Sequence, residues 1–311
     1  NVGNSMETYD VIIIGGGPAG VSAAIYAKRK LLRTVLISKE IGGQVLLTSN
    51  IENYPGFVEK SGIRLGEYFE QQLKELGVEI VEDMVREVRK EGNSFRAICE
   101  EGREFLGKSV IATGGSSHKK LNVPGEGEFF GRGVYVCATC DAPLTKNKTV
   151  AVVGGGNAAF QSADLLARYA AKVYLIHHRG EFRADGLLVN RVKGHGNVEV
   201  MTNVAVREIR GKDRVDSLLL ENLESRRLFE LPVQKVFIEI GREVKADYLK
   251  GLVLTNQHGQ VIVDRLQRTS CGGIFAAGEI TDLPYGQAII SAGQGAVAAL
   301  AVFDYLSEKK S

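Results

Sequence analysis

Short runs of aliphatic and β-branched residues recur along the chain, and most of them run into glycine or a polar turn. Tyr9–Ile14 (YDVIII), Thr34–Ser38, Val78–Val81, Met84–Arg89, Ser109–Thr113 (SVIAT), Lys148–Val153 (KTVAVV), Lys172–Ile176, Gly259–Val263 and Gly273–Ala277 (GIFAA) each predict a strand. Between them lie stretches with helical character. The residues after Gly20 (VSAAIYAKRK) combine helix formers with an apolar face. Arg64–Leu76 is amphipathic and is broken by Gly77, a helical run leads to Tyr169, and Ile289–Leu306 is a long run rich in small residues. Strands alternating with helices predict parallel βαβ units. Ile41–Gly56 shows neither period and predicts an extended loop.

Two of the strand-to-helix turns carry the same glycine pattern. Gly15-Gly16-Gly17-Pro18-Ala19-Gly20 fits G-x-G-x-x-G, and Gly154-Gly155-Gly156-Asn157-Ala158-Ala159 fits the G-x-G-x-x-A variant. The pattern has a physical basis. The first glycine permits the tight turn, the second lets backbone approach a pyrophosphate, and the third lets the helix pack closely on its strand. The helix N-terminus then faces the phosphate oxygens. One such loop is a weak signal, whereas two in strand–turn–helix context predict two nucleotide-binding folds.

The first fold offers further polar groups. Glu40 follows the second strand, where a carboxylate can accept bonds from a ribose, although a solvated turn residue would look the same. Gln44 and Asn53 can each donate and accept, as a flat polar ring requires. Thr113 and Gly114 end another apolar strand, and Gly278-Glu279 end the strand at Gly273–Ala277. Gly43, Gln287 and Ala288 complete the candidate cofactor-binding set with Gly15, Gly17, Pro18, Ala19 and Gly20. In the second fold no carboxylate directly follows the strand. His177-His178-Arg179-Gly180-Glu181-Phe182-Arg183 stands there instead. Guanidinium groups match phosphate geometry in two-pronged fashion, which favours a 2′-phosphate and hence NADPH over NADH. Gly154, Gly156, Asn157, Ala158, His178, Arg179 and Arg183 form this second candidate site, with Glu181 counting against strong selectivity if it points inward.

Between the two loops lie Cys137 and Cys140, in Tyr135-Val136-Cys137-Ala138-Thr139-Cys140-Asp141. A structural zinc site needs about four ligands, and there is neither a second C-x-x-C nor a ligand-spaced histidine pair. The spacing suits a redox dithiol, in which a thiol pKa is depressed. Asp141 can take and return a proton as thiol and thiolate interconvert. Cys99 and Cys271 are isolated and predict structural roles. A nicotinamide hydride does not reduce a disulfide efficiently alone. A flavin between the two is therefore expected, with FAD in the first, more elaborate fold.

Composition changes this picture little. The chain has 311 residues, 44% hydrophobic and 24% charged, enough for two domains. Glycine is the outlier, at 37 residues against an average of about 7%. A formal charge of +2 with no basic run excludes a nucleic-acid footprint. No run of apolar residues reads as long enough to span a membrane, and no secretory leader opens the chain. With only four cysteines the expected location is cytoplasmic.

With these residues in place, the chain resembles the low-molecular-weight thioredoxin reductases of bacteria and archaea, an NADPH- and FAD-dependent family. The resemblance runs from Tyr9 to about Tyr305 and follows the family's order: GGGPAG, GGQ, ENYPG, ATGG, CATCD, GGGNAA, the HHRxxFR segment and FAAGEITD…GQA. CATCD between two nucleotide folds is the most specific part. The resemblance implies an α/β protein with two Rossmann-like (three-layer ββα) nucleotide-binding domains, the second inserted into the first. The implied boundaries are residues 1–119 and 246–311 for the FAD-binding domain and 120–245 for the NAD(P)H-binding domain carrying the C-x-x-C. The chain would cross between them near His118–Gly125 and Gly241–Asp247. It also implies a homodimer in which the domains rotate, Cys140 faces the flavin, Cys137 attacks the disulfide of thioredoxin or a glutaredoxin-like protein, and Asp141 is the acid–base group.

Three positions depart from the family pattern. His178 stands where the first of two arginines is usual, which leaves NADH use open. Glu279 replaces an aspartate at the ribityl chain. Gly286 replaces an arginine before Gln287. Two other enzyme classes share parts of the pattern. A ferredoxin–NADP reductase would lack the cysteine pair, and a flavin-dependent dithiol oxidase would tend to have a degraded nicotinamide site.

Overall fold

The computed structural model describes residues 8–48, 51–282 and 285–309. Leu283 and Pro284, in the loop before Gln287, lie outside the described residues. The chain divides into two compact units, one of residues 1–117 with 243–311 and one of residues 118–242. The segments that cross between them, Ser116–His118 and Arg242–Val244, pair as a two-stranded ladder. Six α-helices are described: α1 (Pro18–Arg29), α2 (Gly62–Glu75), α3 (Ala138–Asp141), α4 (Asn157–Leu166), α5 (Gly186–Lys193) and α6 (Ala288–Glu308).

Each unit is built on a five-stranded parallel sheet. In the first the order is Ile274–Ala276, Val110–Ala112, Val11–Ile14, Thr34–Ile37, Glu79–Val81. In the second it is Val134–Tyr135, Lys235–Ile238, Thr149–Val153, Lys172–Ile176, Val198–Met201. The strand that feeds a glycine loop is central in both. Helices cover one face of each sheet and a second β-layer covers the other, four-stranded in the first unit, where Thr8–Tyr9 adds in parallel to an antiparallel three-stranded meander, and three-stranded and antiparallel in the second, which is the three-layer arrangement of two Rossmann-type domains. Val11 and Ile13 pack with α1, α2 and α6, while Ile12 and Ile14 pack on the opposite side with Val88, Phe95 and Ala97. Thr149–Val153 repeats this, with Val150 and Val152 towards α4 and α5 and Ala151 and Val153 towards Val206, Leu218 and Leu220. Burial on both faces is why these strands read as unbroken apolar runs and not as alternating ones. Each such Val or Ile contributes about 1.5–3 kcal/mol by leaving water.

Several elements differ from the expectation. The covering layers, Val85–Glu91 with Ser94–Cys99 and Glu104–Gly107, and Val204–Gly211 with Val215–Asn222 and Leu228–Pro232, occupy stretches whose mixed polarity hid most of these strands. One side of each faces solvent, so charged residues alternate into them. The segment read as an extended loop contains a 3₁₀ turn, Gly43–Leu47. Gly259–Val263 is not a strand, because Val261 makes only isolated bridges to Thr255 and Thr281.

By length and composition α6 is long and apolar enough to cross a membrane, contrary to the sequence expectation. Its small residues explain how it is placed instead. Ser291, Ala292, Gly295, Ala298, Ala299 and Val302 are buried, and a side chain at Gly295 would run into the backbone of Ala19 in α1. One face of it packs on α1, while Ile289, Ile290 and Leu300 are exposed on the rest of its surface.

Candidate functional site

The first glycine loop closes on its own sheet. Gly15 has φ of +112°, a conformation that L side chains rarely adopt, and a Cβ there would strike the carbonyl of Thr113. A Cβ at Gly20 would strike the Gly15 carbonyl, so α1 can approach its strand only with glycine at this position. Thr113 Oγ1 ties the layers together by donating to the Ile14 and Gly15 carbonyls, each at 2.9 Å. Nothing lies within 4 Å of where a Cβ at Gly17 would be.

The helix caps separate the two loops from the rest of the fold. α2 is capped by Ser61, which accepts from the Arg64 N–H, and α5 by Asp185, which accepts from Leu187 and Leu188. α1 and α4 begin at Gly17 and Gly156 with no side-chain cap and no acidic residue in the first turn. Among the described residues no acceptor is bonded by their first N–H groups, and the space beside Gly156, as beside Gly17, is open. These cradles fit pyrophosphate groups at both loops. α6 also begins uncapped, at Gln287.

The other predicted residues of the first unit converge on this end of the sheet. Gln44 Nε2 donates to the Ser116 carbonyl, and Ser116 Oγ donates to Glu279 at 2.9 Å. Asn53 Nδ2 donates to Gln287 Oε1 at 3.0 Å. The Gly278 N–H donates to Gln294 at 2.8 Å, and a side chain at Gly114 would press on Tyr248 and the Lys245 carbonyl. Pro18 and Ala19 form the first turn of α1, Ala288 opens α6, and Gly43 opens the 3₁₀ turn. Glu40 is exposed, and its neighbour Lys39 is engaged by Glu100 at 3.1 Å. Its carbonyl accepts from Ser38 Oγ, which accepts in turn from the Gly16 N–H. Ser38 was missed in the sequence, where it looks like an ordinary strand end.

In the second unit His177 and His178 separate. His177 is buried against Gly155, its Nε2 lies 3.1 Å from the Glu181 carbonyl, and burial lowers its pKa. The ring supports the loop. His178, Arg179, Glu181 and Arg183 are exposed. Among the described residues, neither Arg179 nor Arg183 has a carboxylate within ion-pair distance. The Arg183 N–H donates to the Gly155 carbonyl at 2.9 Å, which fixes its backbone beside the loop. Asn157 is exposed at the start of α4 and accepts from the Asp185 N–H at 2.8 Å, and Ala158 is exposed next to it.

Cys137 and Cys140 form a disulfide, with Cα atoms 5.4 Å apart. Cys137 is the N-cap of α3, and its sulfur accepts from the Cys140 N–H at 3.2 Å. That bond and the adjoining helix start favour a thiolate on Cys137 once the disulfide opens. Asp141 is nearly buried. Burial pushes its carboxyl up to about 6, opposed by the positive charge of Lys235. Glu239 is also raised by burial, accepts from Ser162 Oγ at 2.7 Å and is bonded by the Ala138 N–H. It braces the first residue of α3 against α4. A lone carboxylate inside the apolar run VFIEI was a legible signal of this role, although the sequence reading passed over it. Cys99 and Cys271 are free, and burial pushes the Cys99 thiol up to about 11, away from reactivity.

Two dinucleotide-type folds, one of them carrying a disulfide beside a buried acid, define a class of proteins that move electrons between nucleotides and sulfur. Residues 9–299 match the family described as pyridine nucleotide-disulphide oxidoreductase, and the chain belongs to that family. The crystal structure of a thioredoxin reductase from Streptococcus pyogenes is similar with a TM-score of 0.93 at 34% identity, covering 98% of this chain and 100% of that one. A thioredoxin reductase from Giardia duodenalis gives 0.92 at 32% identity, covering 97% and 99%. A component of the alkyl hydroperoxide reductase of Pseudomonas putida is 39% identical over 307 residues, 97% of this chain. A protein of Bacillus subtilis named NADH dehydrogenase is 39% identical over 300 residues, 96% of this chain. The chain spans 59% of the length of each of these two relatives.

Proposed function

We propose that this protein is an NADPH-dependent, FAD-containing disulfide reductase that passes electrons through Cys137 and Cys140 to thioredoxin or a glutaredoxin-like protein. The carrying observation is the Cys137–Cys140 disulfide at the start of α3 with the nearly buried Asp141 attached to it. The overall likeness to thioredoxin reductases supports the choice of partner. On this reading FAD belongs to the unit of residues 1–117 and 243–311, NADPH to residues 118–242, and the working form is a cytoplasmic homodimer.

When bound, FAD and NADPH supply the two electrons that open the Cys137–Cys140 disulfide. The backbone N–H groups of α1 and α4 hold the two pyrophosphates, and Arg179 and Arg183 hold the 2′-phosphate. Gln44, Asn53, Glu279 and Gln287 orient the flavin through their hydrogen-bonding groups. Cys137, helped by the Cys140 N–H, attacks one sulfur of the partner's disulfide and expels the other as thiolate. Cys140 then attacks Cys137, re-forms the internal disulfide and releases the partner as a dithiol. Asp141, poised at about 6, takes the proton from Cys140 and returns it when that sulfur next becomes a leaving thiolate.

The test is anaerobic titration of the yellow protein with NADPH, then with NADH, followed by oxidised thioredoxin. NADPH should bleach the flavin and thioredoxin should restore it. Bleaching by neither nucleotide would sink this reading. A second reading is favoured by the sequence relatives that are components of alkyl hydroperoxide reductases. On it the same disulfide serves a hydroperoxide-reducing partner, and thioredoxin would fail to restore the flavin colour.

A further inference from the structure

In each unit the residue that follows the second strand of the glycine-loop motif lies under the middle glycine of that loop. In the first unit this is Ser38, after Thr34–Ile37, and in the second it is His177, after Lys172–Ile176. A Cβ at Gly16 would press on Ser38 Oγ, and one at Gly155 would run into the His177 ring. Each side chain then reaches a carbonyl farther along its own turn. Ser38 Oγ accepts from the Gly16 N–H at 2.9 Å and donates to the Glu40 carbonyl, two residues on, at 2.8 Å. His177 Nε2 meets the Glu181 carbonyl, four residues on, at 3.1 Å. The second turn is the longer one, and it carries Arg179 and Arg183. The reach from the glycine loop to the far side of this turn is filled by an imidazole where the shorter turn needs only a hydroxyl.

The ring is held from all sides. The His177 N–H donates to the Met201 carbonyl at 2.8 Å, and the His177 carbonyl accepts from Val204 at 3.1 Å. His177 is 5% exposed, its ring lies 5.6 Å from that of Phe182, and Phe182 meets Phe160 of α4 edge-on at 4.9 Å. A carbonyl only accepts, so Nε2 carries the ring proton. Among the described residues, buried Nδ1 has no hydrogen-bond partner. A second proton there would lack an acceptor and would face His178, Arg179 and Arg183. The ring is therefore a neutral donor aimed at the turn. Two backbone bonds hold the same turn: the Asn203 N–H donates to the Arg179 carbonyl at 3.3 Å, and the Arg183 N–H to the Gly155 carbonyl at 2.9 Å. Of these three ties, the one from His177 is made by a side chain. We propose that His177 is a positioning residue for nucleotide selection: lying under Gly155 and bonding Glu181, it fixes the phosphate-reading turn in register with the pyrophosphate loop. The proposal rests on the 2′-phosphate role given to Arg179 and Arg183 above.

Two measurements on the holoenzyme test this. With ¹⁵N-labelled histidine, the His177 ring, assigned by its loss in His177→Phe, should show the Nε2–H tautomer near neutral pH. The Nδ1–H tautomer or a cation would overturn the proposal. Calorimetry with adenosine 2′,5′-bisphosphate and with 5′-AMP reads the selection. His177→Phe keeps a ring under Gly155 and removes the donor. Its preference for the bisphosphate should fall by about 3- to 10-fold, the worth of one neutral hydrogen bond, with 5′-AMP binding within about twofold of wild type. His177→Gln, whose amide can reach the Glu181 carbonyl, should restore most of the preference. An unchanged preference in His177→Phe, or equal weakening of both ligands as a merely structural role would give, would overturn the proposal. If the phenylalanine variant does not fold, His177→Leu against His177→Gln makes the same comparison. Equal binding of the two ligands by wild type would defeat the 2′-phosphate assignment of the proposed function and the selection with it, and the tautomer would still report whether His177 ties the turn.

Discussion

Replacing Asp141 by asparagine should make the oxidised protein more stable, and the gain should depend on pH. The carboxyl is nearly buried, and its pKa stands at about 6 instead of 3.8 because burial disfavours the charged form. A raised carboxyl binds a proton in the folded state that it releases on unfolding between those two values. Stability is therefore lost as pH rises through that window and is unaffected by this group below it. At about 1.36 kcal/mol per pH unit the displacement corresponds to about 3 kcal/mol, and solvent reaching the edge of the site reduces this to about 1–2 kcal/mol. Asparagine keeps the shape and carries no charge, so it removes the cost. Urea unfolding of both proteins, with the disulfide intact, should show Asp141→Asn ahead by about 1–2 kcal/mol at about pH 7.5 and level with wild type at about pH 3. The same variant should lose most of its disulfide exchange. A gain of equal size at both pH values would mean that the stabilisation comes from packing or hydrogen bonding, and the electrostatic reasoning would be wrong.

Other outcomes follow from the same geometry. Cys140→Ser should leave flavin reduction by NADPH intact and stop disulfide reduction, and loss of flavin reduction with the flavin still bound would contradict the assignment. Arg179→Ala should raise KM for NADPH far more than for NADH, by about 10- to 100-fold if one charge-assisted phosphate contact is lost. Equal effects on the two nucleotides would refute recognition of the 2′-phosphate. In α6, Gly295→Ala should destabilise by about 1–3 kcal/mol because the new methyl meets the Ala19 backbone. Gly293→Ala, where nothing lies within 4 Å, should stabilise by up to about 1 kcal/mol. Urea midpoints that move together in the two variants would contradict the packing of α6 on α1.

What could be read from the sequence was what repeats locally. Ile12, Val152 and their neighbours are buried on both faces, so their strands stand out as apolar runs, and the glycine loops follow at fixed spacing. The antiparallel layers were largely missed because residues such as Arg86, Arg207 and Glu221 alternate outward and blur the strand signal. At the site, Cys137, Cys140 and Asp141 are contiguous and announce themselves. Their surroundings are not contiguous. Lys235 is 94 residues from Asp141, and only the register between two short parallel strands brings it near Tyr135. His177 and His178 are adjacent and looked alike. Their positions at the end of a strand send one ring under Gly155 and leave the other in solvent, which no local pattern distinguishes.

The nesting of one unit inside the other also sets an order of events during synthesis. Val110–Ala112 emerges early, but its outer neighbour, Ile274–Ala276, lies 164 residues later. At about 5–20 residues per second the first sheet waits roughly 10–30 s with an unpaired apolar edge. Residues 118–242 are complete within that interval and can close around their own sheet. α6, which covers α1, arrives last of all. The inserted unit can therefore be folded while the outer one is still open. The first glycine loop likewise stands on an incomplete sheet until the C-terminal segment arrives, so a nascent chain stalled before residue 274 would present a finished inserted unit attached to an unfinished outer one.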